Sequence, residues 1–360
     1  MFKIIRNFIQ LFAQPYDANY MVLNRTTDTT ATTGNDLSPE MKTYYDKRLL
    51  DYAQPALVHD QFAQKRPIPQ GSGKVIEFRS FSPLAKALTP LTEGITPQGS
   101  QLNVTSKTAE VQQYGDFIVQ SDILELTALD NTILEATKLL GRQAGKTLDT
   151  ITRNVLVSGT NVMYAPKINA STGAETEVTS RAGLDTTCVL TVDLIEQIYT
   201  ELSAMDAPKI DGYYIGIVHP RAMYDLKRDP DWRKPHEYVD TQNIYNGEVG
   251  EIGGIRFVES TEAKIFRDNT CPAQTGATPA YYAVFASLFF GDGAFGVTEI
   301  EGGGLRTIVK QKGSAGTADP LDQRSSVGWK AIKTAEILLP EYLIRVEHMS
   351  SRYSATAQAN

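Results

Sequence analysis

Apolar residues recur at Leu126, Leu129, Ile133, Leu140, Ala144, Leu148, Ile151 and Val155, mostly three or four positions apart, the spacing of a helix that buries one stripe. Within the stretch from Ser121 to Gly159 this pattern predicts a helix of about thirty residues, capped by Asp130, with Glu135 near its start and Ser158-Gly159 as its stop. At roughly 1.5 Å per residue it would reach on the order of 40 Å. Arg142, Lys146 and Arg153 interrupt the stripe, so the helix is expected to lie across a globular body as a spine.

Upstream, the period changes to two. The run from Lys74 alternates Val75, Glu77 and Arg79 against Ile76, Phe78 and Ser80, a strand with one solvated face. A second extended run from Leu102 to Asp122 predicts its partner, so a long two-stranded excursion leaves the body and returns just before the spine. The connection holds Pro83, Pro90, Pro97, Gly94 and Gly99, yet also Leu84, Leu88, Leu91 and Ile95. It is too long for a tight turn and too apolar for a solvated linker, which makes Leu88, Leu91 and Ile95 expected subunit-interface residues.

Before the excursion, residues 24 to 37 are polar, Thr-rich and aperiodic, the composition of an arm that cannot bury enough surface to order itself. Ser38-Pro39-Glu40 then opens a helix that runs through Met41, Tyr44, Tyr45, Leu49, Tyr52, Leu57 and Phe62, with a break at Pro55, to Lys65-Arg66-Pro67. After the spine, residues 161 to 188 read as a mobile loop. A second amphipathic helix spans Thr191 to about Met205 with Leu194, Ile198 and Leu202 on one face. A strand from Tyr213, a short helix from Pro220 to Arg228, and a charged loop from Asp229 to Glu248 follow. Strands are expected at Ile252, Tyr281 and Gly304, and extended structure from Arg324.

The 360 residues suffice for two or three domains, and the formal net charge of -7 argues against a surface that grips nucleic acid. Cys188 and Cys271 match no metal or redox spacing and read as unpaired thiols of a reducing compartment. No run approaches a membrane span. Arg6, Asn7 and Gln10 break the hydrophobic start, so no signal peptide is expected; Phe2, Ile5, Ile9 and Phe12 would form a short contact helix, or the true start is Met21.

Gly291-Asp292-Gly293-Ala294-Phe295-Gly296 is a literal GxGxxG after a strand, but an extended run follows it where a dinucleotide site needs a helix N-terminus, so a tight β-turn is expected. The histidines, His59, His219, His236 and His348, show no metal spacing. His219, at a strand end, is the best single candidate for a general base, against the blander reading of a polar strand-end residue. Asp225, Asp229 and Asp231 with Arg228 and Arg233 read as an ion-paired loop, within which Trp232 is an expected interface anchor. No catalytic residue, metal ligand or cofactor is assigned.

Several of these elements carry a resemblance. Leu49, Tyr52 and Ala53, the run FAQKRPIPQGSGKVIEFRSF, the LTEGITP tip (Leu91 to Pro97) and YGDFIVQSDILELTALD (Tyr114 to Asp130) resemble the major capsid proteins related to that of the N4-type podoviruses, over residues 38 to about 350. The resemblance implies an α+β protein with the Hong Kong 97-like phage capsid fold. Its divisions would be an N-terminal arm and helix (1–70), an extended β-hairpin loop (71–122), a peripheral domain with the spine (123–189), an axial domain (190–310), and a return to the peripheral domain with a C-terminal tail (311–360). It also implies a structural role without enzymatic activity. Copies would form pentamers and hexamers of an icosahedral shell in the virion, assembled in the host cytoplasm with a scaffolding protein, a portal and an optional decoration protein. The shell would enclose double-stranded DNA without binding it specifically. An encapsulin-like nanocompartment shell and a soluble nucleotide-binding enzyme are the competing readings.

Overall fold

The computed structural model describes residues 49, 52–53, 57–81, 84, 86–90, 93–94, 96, 99–127, 132–169, 172–230, 232, 248–274, 276, 280–314 and 319–360. The expected arm, the start of the helix opening at Ser38, the Asp130 cap, Leu91, Ile95, Asp231 and residues 233–247 of the charged loop lie outside them. Leu49, Tyr52 and Ala53 are helical, but the helix expected on to Lys65-Arg66 is replaced by a 3-10 turn at His59–Phe62 and a strand at Gln64–Lys65.

Among the described residues, sixteen strands and four α-helices of defined extent follow in chain order. The strands are β1 (Gln64–Lys65), β2 (Val75–Phe81), β3 (Val104–Glu110), β4 (Gln112–Ser121), β5 (Val162–Tyr164), β6 (Lys167–Ile168), β7 (Glu175–Thr176) and β8 (Tyr214–Val218). There follow β9 (Glu248–Ile252), β10 (Ile255–Glu259), β11 (Ile265–Phe266), β12 (Val284–Phe290), β13 (Phe295–Thr298), β14 (Arg306–Lys310), β15 (Arg324–Ile337) and β16 (Leu343–His348). The helices are α1 (Asp122–Thr127), α2 (Thr132–Val157), α3 (Val192–Ala204) and α4 (Pro220–Leu226).

Two sheets carry the molecule. A five-stranded sheet runs β1-β13-β15-β14 with β4 added on β15, and a seven-stranded sheet runs β5-β16-β12-β8-β10-β9 with β11 added on β12. β15 organises the first, pairing β4 over ten positions from Arg324 opposite Ser121 to Lys333 opposite Gln112. The spine, α2, has 26 residues and serves both sheets. Its first half sets Leu140, Ala144 and Leu148 on Val327, Trp329 and Ala331 of β15. Its last turn sets Leu156 and Val157 among Ile215, Ile217, Leu288 and Phe290 of the seven-stranded sheet. The opposite face of that sheet, through Tyr214, Phe257, Phe285 and Phe289, is covered by Leu194, Ile195, Ile198 and Leu202 of α3 and Met223 and Leu226 of α4. Both faces of β8 and β12 are therefore buried, and both strands are buried at every position.

Several expectations change. The spine region is two helices: α1 ends at Thr127 and α2 begins at Thr132, so the predicted stripe starts at Ile133 and Leu126 is 79% exposed. The returning arm of the excursion is also two strands. β3 pairs β2 from Val75 opposite Glu110 to Phe81 opposite Val104, and after Val111 the chain turns into β4 of the body sheet. Residues 161 to 188 hold a strand on β16 and a small β6-β7 hairpin where a mobile loop was expected. Gly253 and Gly254, both at positive φ, divide the strand expected at Ile252 into the β9-β10 hairpin. The two sheets also cut across the expected divisions at 190–310 and 311–360. β13 and β14 belong to the five-stranded sheet and β16 to the seven-stranded one.

Candidate assembly surface

The segment ahead of the hairpin is clasped onto the spine. Gly141 and Gly145, four residues apart on one helical face, leave room for the backbone of Leu49 and Ala53. A methyl group on Gly141 would come within 2.9 Å of the Leu49 carbonyl, and one on Gly145 would strike that of Ala53. One turn further on, the fully buried Asp149 accepts from the backbone N–H groups of Val58 and His59, both at 2.8 Å, and holds the His59 Nδ1 at 2.7 Å. Thr152 donates to Asp60 at 2.6 Å, and Lys333 of β15 pairs with Asp60 while donating to the Leu148 carbonyl at 2.9 Å. Segment, spine and sheet are thus joined by charge-assisted bonds in a buried site, where breaking one partner is costly.

From this anchor the β2-β3 hairpin projects. Its inner face lays Phe78 over Gly296 of β13, and Lys107 donates to the Ile337 carbonyl at 2.8 Å. Its outer face and tip are bare: Val75, Leu84, Leu102 and Val104 are exposed, and Leu88 is 82% exposed. Leu91 and Ile95 lie outside the described residues. A second bare apolar strip, not anticipated from the sequence, runs from Phe117 and Val119 of β4 through Ile123, Leu124 and Leu126 of α1 to Leu321. The backbone N–H of Asp122 donates to the Gln323 carbonyl, which brings the α1 and Leu321 portions together. Apolar strips of this kind mark surfaces that another molecule covers.

Trp232 does not belong to either strip. It is 4% exposed and packs edge-on against Phe257 at 5.3 Å, so the anchor expected at an interface is part of the subunit's own core.

The conventional chemical candidates are also structural. GDGAFG makes a turn, with Gly293 at φ +70° and Gly291 set directly against the Pro208 carbonyl, and leads into β13. There is no helix behind it to receive a phosphate. His219 caps α4, its Nδ1 accepting from the Arg221 N–H at 3.1 Å, and burial pushes its pKa down to about 4. His348, fully buried, is pushed to about 4 by the same cause; its Nδ1 donates to the Met349 carbonyl at 3.1 Å, so Nε2 accepts from Ser287 at 2.8 Å. The two imidazoles flank Phe285, at centroid distances of 5.5 and 6.2 Å. Asp225 accepts from Ser350 and Ser351 and ties the tail to α4. Cys188 and Cys271 are free and buried, and burial raises both thiols. Among the described residues no group of three His, Cys, Asp or Glu could hold a metal, and no helix is long and apolar enough to cross a membrane.

One buried constellation has no signal in the sequence. Arg181 grips Glu347 of β16 with Nε and Nη2, both at 2.6 Å, stacks on Phe266 at 3.6 Å, and has its pKa raised by that bidentate pair. The partners are 166 residues apart, beyond any local pattern.

A family model described as phage capsid protein matches residues 14–315. No curated protein matches the chain. Among solved structures, the capsid of Ralstonia phage GP4 superposes with a TM-score of 0.62 at 12% identity, over 92% of this chain and 97% of that one. The cyanophage Pam1 capsid gives 0.57 at 13% identity over 92% and 99%, and the cyanophage P-SCSP1u capsid 0.56 at 15% over 81% and 87%. At these identities the superpositions show a shared mixed α/β fold, and the family match covers most of the chain. The chain belongs to the phage capsid protein family.

Proposed function

We propose that copies of this chain form a closed icosahedral shell around double-stranded DNA in the Hong Kong 97-like manner, with the β2-β3 hairpin lying over a neighbouring subunit. The observation that carries this reading is the bare apolar surface of a hairpin whose root is locked into the body by Phe78 and Lys107. Exposed apolar side chains on a two-stranded projection are unfavourable in water and become favourable when a neighbour covers them. In this reading the five-stranded sheet and the first half of α2 are the peripheral part, and the seven-stranded sheet with α3 and α4 is the axial part. The net charge of -7 suits a wall along which packaged DNA slides. A scaffolding protein, a portal and an optional decoration protein complete the expected partners, and the resemblance to N4-type podovirus capsid proteins rests on the sequence elements of the hairpin and its approach.

The test is negative-stain electron microscopy paired with sedimentation, on the protein expressed alone and with its scaffolding partner. Shells, sheets or tubes are expected. A protein that stays monomeric under both conditions would overturn the reading, and an enzyme co-purifying inside closed particles would redirect it to a nanocompartment.

A further inference from the structure

The face of the β4-β15-β14 ribbon that turns away from the spine holds an uncompensated pair of cations. The register sets Arg306 of β14 directly opposite Lys330 of β15, with Gly115 of β4 opposite Lys330 on its other side. Residues directly opposed in an antiparallel ladder share a face, and like charges there are destabilising. Arg306 and Lys330 are both exposed, and neither has an ion pair or side-chain hydrogen bond among the described residues. Lys310 lies on the same face, two positions along β14 from Ile308. Where the three strands run side by side none of the positions sharing this face carries a carboxylate; on β15 the nearest is Glu336, six positions along from Lys330. The adjacent row is Phe117, Gly328 and Ile308, with Phe117 46% and Ile308 42% exposed.

The opposite character stands on α3. Its buried stripe is Leu194, Ile195, Ile198 and Leu202, and its solvent stripe is Asp193, Glu196, Thr200 and Glu201. The helix has no Lys, Arg or His. Among the described residues, the only side-chain hydrogen bond or ion pair of these three carboxylates is the Gln197 amide on Asp193 at 2.9 Å. Glu201 stands in the last turn, where the helix dipole disfavours an anion. Each surface is thus unfavourable in the isolated chain and would be relieved by the other.

We propose that the Arg306–Lys330 face of one copy receives the acidic α3 stripe of the next, an inference that rests on the shell reading above. The two surfaces belong to different sheets of the chain, so copies joined head to tail through them make a heterologous contact, which forms a ring where the rotation from one copy to the next closes. DNA phosphates would satisfy the cations but leave Phe117 and Ile308 uncovered, whereas a helix surface covers both rows. Complementary charge of this kind sets register and partner choice, and salt weakens it.

The test compares wild type with Arg306→Gln/Lys330→Gln by sedimentation against protein and salt concentration. The variant subunit should melt unchanged or roughly 1–2 °C higher, because a like-charge pair is removed. The concentration needed for assembly should rise roughly tenfold at low salt, and high salt should bring wild type toward the variant. Arg306→Glu/Lys330→Glu should not assemble, and adding Glu196→Lys/Glu201→Lys should restore assembly. A glutamine variant that assembles like wild type, or a reversal that is not rescued, overturns the contact while leaving the shell reading intact. Loss of binding to a labelled DNA duplex with assembly unchanged overturns it in favour of nucleic acid. A wild type that never assembles, even with scaffolding protein, overturns the shell reading and this contact together.

Discussion

The seven-stranded and five-stranded sheets treat their faces differently. In the first, α3 and α4 cover one face and the end of the spine and the Phe62 turn cover the other, so that Tyr214, Phe257, Phe285, Phe289 and Phe290 are all fully buried. In the second, the face toward the spine is covered, and on the other face the hairpin's Phe78 covers only the β13 end at Gly296, while Phe117, Val119 and Ile308 remain exposed. One sheet has its complete solvent-excluding shell within the chain, and the other is half finished. A chain can be stable alone and still carry such a surface, which in the shell proposed above is the one its neighbours would cover.

The comparison breaks most sharply under a pair of like substitutions. Phe289→Ala removes a ring buried on both sides and should cost about 3–5 kcal/mol, read as a lower denaturation midpoint. Phe117→Ala should change the midpoint of the isolated subunit by less than about 0.5 kcal/mol while weakening assembly. If both cost the same, the five-stranded sheet is covered from within the chain after all.

The clasp between the two sheets comes next. Asp149→Ala strands the Val58 and His59 N–H groups and the His59 ring in a site without water access, and should cost on the order of 3 kcal/mol. Gly145→Leu drives a side chain into the Ala53 backbone and should cost about 1–3 kcal/mol unless the N-terminal segment lifts off. Limited proteolysis near residue 57 separates those outcomes, since only a lifted segment is cleaved.

What the sequence disclosed follows from which forces are local. The spine from Ile133, the α3 stripe of Leu194, Ile198 and Leu202, and the β2 alternation are periodic, and the structure has all three. Leu126 was counted into the buried stripe because it continues the helical spacing, although the structure leaves it in solvent. The turn at Val111 was hidden because β3 and β4 share an extended pattern while pairing with different strands. Trp232 was misplaced because aromatic character alone does not say which surface covers a ring. Gly141 and Gly145 were visible as glycines in a helix, and their spacing is the one clue that another backbone approaches there.

A smaller effect is expected from acid. His219 and His348 sit near pKa 4 when folded, against about 6.5 for a free histidine, so the unfolded chain binds more protons between those values. Their contribution is fully present above about pH 6.5 and is lost as pH falls toward 4, by on the order of 3 kcal/mol for the more deeply buried His348. Both belong to the fully covered sheet. His348→Gln should flatten the pH dependence of the melting temperature across that window; an unchanged slope would show that the imidazole is not held neutral by burial.

The smallest effect on the isolated chain is expected at the hairpin tip, where the consequence for assembly is largest. Leu91→Asp with Ile95→Asp, or Leu88→Asp alone, should leave the circular dichroism spectrum and melting temperature of the subunit unchanged, because Leu88 contributes almost no buried area within the chain. A charged tip cannot be desolvated against an apolar neighbour without a compensating partner, so shells should be absent. Normal particles from the double variant would remove the tip from the contact, and the exposed strip on β4 and α1 would then be the apolar surface through which copies meet. A fall in the melting temperature of the isolated subunit would carry a different meaning: the tip folds back on its own body, and the uncovered region is smaller than the bare hairpin indicates.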